Sequence, residues 1–545
     1  MGGPWVVVIW WVFIGGLGAS GGSVIGGAPG VPGYPAINIS ISNFNASDAN
    51  SWVFTNKVQL KANTIRVIDV INIPSIVSFM IVQVHTQERN ITLSYTDEFS
   101  NKTRVTGSNV GLQTDPRSHR VFVRNDNEAG VPALVAVVVY SGNAPIPGGC
   151  NMEFSIETSP FLRLSASDSM ITVDAQPASS IGPNGKQLPC EKNLVTYETY
   201  RLYVPEWDFT SETYFATIPK MLTVESIIKF GKRVPPKLST SQMRRVFSAY
   251  PGTGSAYAMI ATFKNSSSAY VPVFSYACSP LSSLKSCSLL STTISRLICA
   301  LALFVGFFLV FIGHVCFRAE MFFLGTISGG IIGHICLVAA QYEDVTAQLG
   351  LSLLIGILAG IASITLWCTF GMPCIAILQA TLFVGALVAS ITYFSIPDGI
   401  ALFESDANFW VVYGAIMIMV PLLLCMFPLS SNIVCCALVG ASAVILSIDY
   451  WLGSNLKYIV INTVRRMVVP GFNVATIQPP FQGEEISLVI TWLIIALCGM
   501  RVQKKRLNGR PPFPSPVNYT TISSERSPLL IQVRNGTTSA RFERK

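Results

Sequence analysis

The stretch that decides the fold class is residues 297–317, LICALALFVGFFLVFIGHVCF, which contains no Lys, Arg, Asp or Glu. As a helix it would be about 32 Å long, enough to cross a hydrocarbon core of about 30 Å. Similar apolar runs follow at 321–340, 349–370, 373–394, 410–429, 433–452 and 486–502. We therefore predict a membrane all-α seven-helix bundle over residues 291–503.

The composition of the whole chain agrees with several membrane spans joined to folded material outside them. Of its 545 residues, 50% are apolar and only 12% are charged. Charge this scarce excludes a cytosolic globular protein and a disordered one.

The basic residues are concentrated after the last apolar run. Residues 501–545 hold ten Lys and Arg against Glu525 and Glu543, an excess that equals the net charge of +8 of the whole chain. Lys and Arg beside a span stay on the cytoplasmic side and attract anionic lipid, which makes a nucleic-acid partner a poor explanation. We predict a cytoplasmic tail over 504–545 and an amino terminus on the opposite side.

The amino end predicts a secretory signal peptide over 1–21. Residues 5–14 form an apolar core too short to span, and small residues follow at 18–21. Because a basic segment before the core is missing, an uncleaved anchor is the alternative. Either way, residues 22–290 would be delivered to the lumen or the cell exterior.

Glycosylation signals and cysteines agree with that delivery. Five N-x-S/T sequons precede the bundle, at Asn38, Asn45, Asn90, Asn101 and Asn265. Two further sequons, Asn518 and Asn535, lie in the basic tail, where a cytosolic location would leave them unmodified. Four of the 13 cysteines lie before the bundle, namely Cys150, Cys190, Cys278 and Cys287. Proximity favours Cys150 with Cys190 and Cys278 with Cys287, although four cysteines allow three pairings.

Short runs rich in Val, Ile, Tyr and Thr alternate with Asn, Gly, Pro and Ser between residues 37 and 290. Clear examples are 65–71, 76–84, 90–95, 120–124, 133–140, 194–204, 256–263 and 270–276. This pattern predicts an all-β, tandem β-sandwich-like region with domains at 22–148 and 149–290. A helix is expected within 208–250, and the basic residues there are expected to form a solvated face.

Two features inside the bundle region predict how its helices pack. Glycines at four-residue spacing, Gly325, Gly329 and Gly333 in one run and Gly356 and Gly360 in the next, favour close intramolecular packing over a dimer face. The long connection 453–485 predicts an amphipathic helix, with an apolar stripe beside Lys457, Arg465 and Arg466. That helix would lie on the membrane interface or under the preceding domains.

Catalytic and metal-binding patterns are missing from the sequence. The apolar runs contain no acidic or basic residue except Asp449, so we expect no polar cavity in the bundle. His314 and His334 are interpreted as hydrogen-bonded packing residues and Gln379 as an interhelical hydrogen bonder. No cofactor, metal site or enzymatic activity is predicted. The very short loops expected on the inner side also argue against a G-protein-coupled receptor.

The tail carries two short patterns of trafficking signals. Residues 519–522 fit the Y-x-x-apolar motif through Tyr519 and Ile522, and residues 525–530 fit the acidic dileucine motif through Glu525, Leu529 and Leu530. Such peptides present apolar anchors to an adaptor groove. They predict clathrin adaptors as partners and a route through the plasma membrane, endosomes and lysosomes.

Several separate blocks resemble the transmembrane 7 superfamily member three family. They are PIPGGCNMEF at 145–154, AYVPVFSYAC at 269–278, FIGH at 311–314 with EMFF at 320–323, IDYW at 448–451 with NLKY at 455–458, and ERSPLL at 525–530. The resemblance implies a glycosylated seven-span surface protein associated with cell survival, attenuation of endoplasmic reticulum stress and secretory-cell function. It carries over no catalytic or ligand residues.

We therefore expect a membrane glycoprotein that acts through partners, including an extracellular protein ligand of the β domains and the lipid bilayer itself. The alternative is a transporter, channel or lipid scramblase that uses the interior of the helical bundle.

Overall fold

The computed structural model describes residues 34–45, 50–182, 187–192, 194–237, 240–288, 292–396, 399–508 and 513. The predicted signal peptide, the tail sequons Asn518 and Asn535, and both trafficking motifs lie outside these residues. The chain separates into two compact units, 1–143 and 144–545.

The first unit contains a β-sandwich, as the alternating runs predict. Its strands are β1 (Ala36–Ser40), β2 (Val53–Leu60), β3 (Thr64–Ile71), β4 (Val77–Thr86), β5 (Ile91–Ser94), β6 (Arg104–Gly107), β7 (Asn109–Thr114), β8 (Arg120–Asn125) and β9 (Val131–Ser141). One sheet has the order β1-β3-β8-β5-β6 and the other β2-β9-β4-β7. The β1–β3 pair is parallel, and the other pairs are antiparallel.

The core of this sandwich includes one buried histidine. In β4, His85 is fully buried, with Nδ1 2.9 Å from Asn109 Oδ1 and Nε2 3.0 Å from Gln83 Oε1. Burial lowers the pKa of His85 to about 4, although the hydrogen bond with Asn109 opposes that change.

The second unit begins with another β domain, which also contains the helix expected within 208–250. Its elements are β10 (Arg163–Ala166), β11 (Met170–Asp174), β12 (Thr196–Glu206), α1 (Ser211–Thr217), α2 (Val224–Phe230), β13 (Lys232–Val234), β14 (Arg244–Ser248), β15 (Thr253–Phe263), β16 (Ser266–Ala269) and β17 (Val273–Ser275). One sheet has the order β10-β11-β14 and the other β13-β12-β15-β16, with β17 also paired to β15. Disulfides join Cys150 to Cys190 and Cys278 to Cys287, the pairing that proximity favoured.

The helical bundle follows in the same unit. Its helices are α3 (Thr293–Ile312), α4 (Phe317–Ala339), α5 (Val345–Phe370), α6 (Pro373–Ser395), α7 (Asp406–Leu424), α8 (Pro428–Leu452), α9 (Tyr458–Val468) and α10 (Gly483–Leu507). By length and composition, six helical segments of the described chain could cross a membrane. The first of these segments, Thr293–Ala339, has 47 residues and contains both α3 and α4.

This first segment is two helices that fold back on each other. A 3₁₀ turn at Gly313–Cys316 separates them, and the rings of Phe308 and Phe323 lie 5.4 Å apart. In one continuous helix these residues would be about 22 Å apart. The chain therefore reverses direction at the turn, and with this pair the described residues contain seven long helices, as predicted.

Glycines set the closest helix contacts, and they do so within one chain. A Cβ added at Gly325 would lie 2.8 Å from Gly360 Cα, and one added at Gly356 would lie 2.5 Å from Thr326 O. The backbones of α4 and α5 therefore touch, which supports the intramolecular interpretation of the glycine spacing. In the same way, α3 and α8 meet at Gly306 and Gly440.

Candidate functional site: a polar interface between the second β domain and the bundle

Buried polar side chains connect the second β domain to the ends of the bundle helices beside it. We call this set the polar interface and define it by Glu206, Ser248, Tyr250, Asp449, Asn455, Lys457, Asn462, Arg465 and Glu485. The first three residues belong to the β domain, and the others belong to the bundle or its connections. Residues up to 279 positions apart, Glu206 and Glu485, are thus brought together.

Asp449 organises the turn that ends α8. Its carboxylate is fully buried and accepts hydrogen bonds from the backbone N–H groups of Leu456 and Lys457, at 3.2 and 2.9 Å. It also accepts one from Ser454 Oγ, and Lys457 Nζ lies 3.6 Å away. Gly453 takes the left-handed conformation at the end of the helix, with φ of 88°, which lets the chain turn there. Asp449 therefore fixes the connection to α9.

Two carboxyl groups meet beside this turn, one from each side of the interface. Asn455 donates from Nδ2 to Glu206 Oε1 and from its backbone N–H to Glu485 Oε1, the latter at 3.1 Å. Burial, together with the neighbouring Glu485 carboxyl, raises the pKa of Glu206 to about 9. The raised pKa favours the protonated form of Glu206, which reduces the repulsion between the two carboxyl groups where β12 meets the start of α10.

Arg465 is inserted from α9 into the β domain. Its Nη1 donates to Ser248 Oγ at 3.1 Å and to Ala249 O at 2.8 Å, and its Nη2 donates to Asp168 O at 2.8 Å. The side chain is almost completely buried. One guanidinium thus satisfies acceptors from two segments of the domain, in the forked geometry that Arg provides.

The amphipathic helix expected after α8 exists as α9, but its polar face is the buried one. Arg465 and Arg466 are buried, whereas Met467 on the apolar stripe is 43% exposed. Arg466 Nη2 donates to Phe403 O at 3.0 Å and lies 2.8 Å from Asp406 Oδ1. The expectation that a helix lies under the β domain is confirmed, and its arginines face the protein.

The connection between α9 and α10 extends one sheet of the β domain. Thr476 N donates to Val246 O at 2.8 Å and accepts, through its carbonyl, from Ser248 N at 2.9 Å. This parallel bridge places the connection beside β14. Tyr250 Oη donates to Ile477 O, and Arg201 Nη2 donates to Gln478 O at 2.7 Å. Backbone pairing therefore adds to the side-chain contacts of the polar interface.

An aromatic cluster continues from the polar interface into the helices. Tyr250 and Tyr458 meet with ring centroids 4.8 Å apart in an edge-to-face arrangement. The same cluster includes Phe409 and Tyr413 of α7 and Tyr393 of α6. The second β domain and the bundle thus share a hydrophobic core cluster and belong to one compact unit.

A second polar group lies within the bundle and corrects one prediction. The apolar runs were expected to contain only Asp449, but α4 begins at Phe317 and therefore includes Glu320, which is fully buried. Asn432 Nδ2 donates to Glu320 Oε1 at 2.7 Å and lies 3.0 Å from His314 Nδ1. The position of Glu320 inside a helix could not be predicted from the apolar runs, because the start of α4 depends on where the 3₁₀ turn lies.

Other predicted residues are placed as follows. Gln379 Nε2 donates to Ser328 Oγ at 3.3 Å, which confirms an interhelical hydrogen bond. His314 has the partner expected of a packing residue, whereas His334 Nδ1 is buried without one among the described residues. Of the basic residues in 208–250, Arg245 is buried, so that face is not wholly solvated. A search of the described residues finds no group of three or more His, Cys, Asp or Glu able to hold a metal.

The asparagines of the five sequons before the bundle lie among the described residues and differ in exposure. Asn45, Asn90, Asn101 and Asn265 are exposed. Asn38 is half-buried in β1, opposite Asp69 of β3. Solvent exposure therefore favours glycosylation at the four exposed asparagines over Asn38.

Comparison with known proteins covers the β domains and the bundle. Residues 47–140 match a family model described as the TM7SF3-like N-terminal immunoglobulin-like domain. Residues 145–281 match the TM7SF3-like second immunoglobulin-like domain, and residues 299–504 match the TM7S3/TM198-like domain.

Mammalian proteins that are similar to most of this chain share one name. The Rattus norvegicus protein named Transmembrane 7 superfamily member 3 is 30% identical over 472 residues, which are 84% of this chain and 83% of that protein. Its Homo sapiens namesake is 29% identical over 469 residues, covering 84% and 82% of the two chains. With its β domains and its multi-pass bundle both matched, the chain belongs to the transmembrane 7 superfamily member 3 family.

Proposed function

We propose that this protein is a non-enzymatic membrane glycoprotein that acts through partners in cell survival and stress homeostasis, including attenuation of endoplasmic reticulum stress. The family resemblance implies that role. The observation that supports action through partners is the polar interface, because it connects the second β domain to the bundle within one compact unit. A protein bound to this domain can then change the bundle without an enzymatic step.

A complementation experiment tests this proposal. Cells that lack the protein are treated with an inducer of endoplasmic reticulum stress, and survival and stress-response transcripts are measured after re-expression. We expect the wild type to restore survival, Arg465→Gln to fail at equal abundance, and Arg163→Gln, an exposed change on β10, to behave as wild type. If Arg465→Gln does not accumulate, Tyr250→Phe replaces it as the interface variant, because it removes only the hydroxyl that donates to Ile477 O. A wild type without effect on survival would contradict the stress role.

The proposal includes the partners and the route through the cell. The β domains would bind a protein ligand outside the cytosol, and the tail would bind clathrin adaptors through Tyr519, Ile522, Glu525, Leu529 and Leu530. Replacing Tyr519 and both leucines by Ala should increase the surface fraction, measured by surface biotinylation. An unchanged surface fraction would remove adaptors from the proposal.

A transporter, channel or scramblase is the second candidate, and one observation favours it. Glu320 is a fully buried acidic residue in a bundle helix, where its carboxyl group contacts Asn432 and Cys436 and forms no ion pair with a basic side chain among the described residues. A buried ionisable group in a membrane span is costly and commonly belongs to an ion or proton path. Ion or lipid flux in protein-containing liposomes, lost in Glu320→Gln, would establish this function. Flux equal to that of protein-free liposomes would exclude it.

A further inference from the structure

A cavity of about 480 Å³ lies where α3 begins and α8 ends, beside the second β domain. Its lining includes Arg296, Lys457, Tyr450, Tyr458, Trp207 and Trp451. The volume falls within the range of about 300–1,000 Å³ that is usual for small-molecule sites. Aromatic residues with cations are also the side chains that collect at the level of lipid headgroups. The cavity is therefore large enough, and suitably lined, for a headgroup.

Two residues that line this cavity carry polar groups without a partner among the described residues. Arg296 is exposed and has no ion-pair partner among the described residues. Tyr458 is 1% exposed, and its hydroxyl has no hydrogen-bond partner in the described chain. A buried hydroxyl without a partner loses the hydrogen bonds it would make in water. An anionic oxygen could accept from both the guanidinium and the hydroxyl.

The charge in the cavity is unevenly compensated. Lys457 already faces Asp449, with 3.6 Å between Nζ and the carboxylate. The carboxyl groups of Glu206 and Glu485 also lie close enough to Lys457 to act on its charge. Among the cations that line the cavity, Arg296 is thus the one without an ion-pair partner in the described chain, and its guanidinium is free to pair with an anion.

Apolar surface continues from the cavity along the helices. Leu297 on α3 is 57% exposed, Leu301 one turn later is 47% exposed, and Trp451 on α8 is 58% exposed. Side chains this apolar on membrane-spanning helices face lipid tails. An occupant with a phosphate at Arg296 and acyl chains along these residues would match both parts of the surface.

We propose that this cavity binds a glycerophospholipid through its phosphate, with Arg296 and Tyr458 as the groups that contact the phosphate oxygens. The chains of the lipid lie against α3 and α8. The lipid then joins the β domain, through Trp207, to the bundle, through Arg296 and Tyr458.

Photochemical labelling of the full-length protein in detergent tests this site. The probes are a phosphatidylglycerol with a diazirine near the glycerol and a diacylglycerol with the same chains, and adducts are mapped by mass spectrometry. We expect phosphatidylglycerol to label peptides containing residues 293–301 or 450–458, and Arg296→Gln to reduce that labelling about tenfold, as loss of a charged hydrogen bond predicts. Tyr458→Phe, which removes only the hydroxyl, should also reduce it.

The control is Arg501→Gln on α10, which removes an exposed cation outside this cavity and should leave labelling unchanged. Equal labelling by diacylglycerol, or labelling insensitive to Arg296→Gln, would overturn the proposal in favour of general lipid contact. Loss of labelling on addition of inorganic phosphate would assign the cavity to a free anion instead.

Discussion

Arg465 shows how a single residue connects two parts of the second unit. Its guanidinium donates to Ser248, Ala249 and Asp168, which belong to two separate segments of the β domain. Its partners lie more than 200 positions away along the chain. No local pattern predicts partners this distant. The sequence predicts only that Arg465 lies on an amphipathic helix with basic residues.

We expect Arg465→Met to destabilise the second unit. The substitution keeps a long side chain but leaves the buried carbonyl of Ala249 and the part-buried carbonyl of Asp168 without this donor, at a cost of about 3 kcal/mol. The midpoint of thermal unfolding of the purified protein measures the effect. Arg163→Gln on β10 is the exposed control, and a similar small shift in both variants would contradict the assigned role.

His85 predicts an acid sensitivity of the first β domain. Its pKa is about 4 in the folded chain against 6.5 for an ordinary histidine. Since the folded value is lowered, the stabilisation is complete above pH 6.5 and is lost as the pH falls towards 4. At pH 5 the loss for this group would be about 2 kcal/mol.

Hydrogen exchange of β4 and β7 in the full chain, corrected for intrinsic rates, measures that loss. Protection should fall between pH 7 and pH 5 in the wild type, and His85→Gln should flatten the dependence. Equal pH dependence in the two proteins would show that His85 does not govern it.

At the scale of elements, the sequence predicted where the long helices lie, but it did not predict which polar side chains they bury. The spans were recognisable because each needs only a long apolar run, and α5 indeed ends at Phe370 as expected. The burial of Glu320 was missed because the apolar runs 297–317 and 321–340 leave it in the connection between them. The 3₁₀ turn at Gly313–Cys316 starts α4 early enough to include it.

The glycine contact between α4 and α5 provides a matched pair of substitutions. A Cβ at Gly329 would lie 2.3 Å from the Ala359 side chain, whereas one at Gly330 would meet nothing closer than Ser352 O at 3.6 Å. We expect Gly329→Ala to destabilise the bundle by about 1–3 kcal/mol. Gly330→Ala should be neutral or slightly stabilising, because Ala favours helix. Thermal unfolding in detergent compares them, and equal effects would mean that the two helices separate without cost.

Between elements, the paired carboxyl groups give the polar interface a pH dependence. The pKa of Glu206 is raised to about 9 from 4.5, so its protonated form stabilises the folded state. That contribution is complete below pH 4.5 and is lost as the pH rises through 9. The unfolding midpoint should therefore fall between pH 7 and pH 9.5, and Glu206→Gln should reduce that fall. An identical fall in the variant would assign the dependence to other groups.

At the scale of the whole molecule, the threading through the membrane follows from charge. Ten cations after residue 500 would have to cross the lipid if the carboxyl terminus were outside, and each is strongly disfavoured in hydrocarbon. With seven long helices, we then expect the two ends of the chain on opposite sides of the membrane. The second β domain and the polar interface lie at the amino end of α3, so the same argument predicts a non-cytoplasmic location for them.

This topology predicts which asparagines are glycosylated and on which side of the membrane an epitope tag is accessible to antibody. We expect N-glycosidase to reduce the mass by up to five glycans, with Asn38 the site least occupied because it is half-buried in β1. An epitope tag placed after Lys545 should bind antibody only in permeabilised cells. Single Asn→Gln changes at each sequon, including Asn518 and Asn535, identify the occupied sites by loss of one mass step. A glycan on either tail asparagine, or antibody bound to intact cells, would invert the arrangement and place the polar interface in the cytosol.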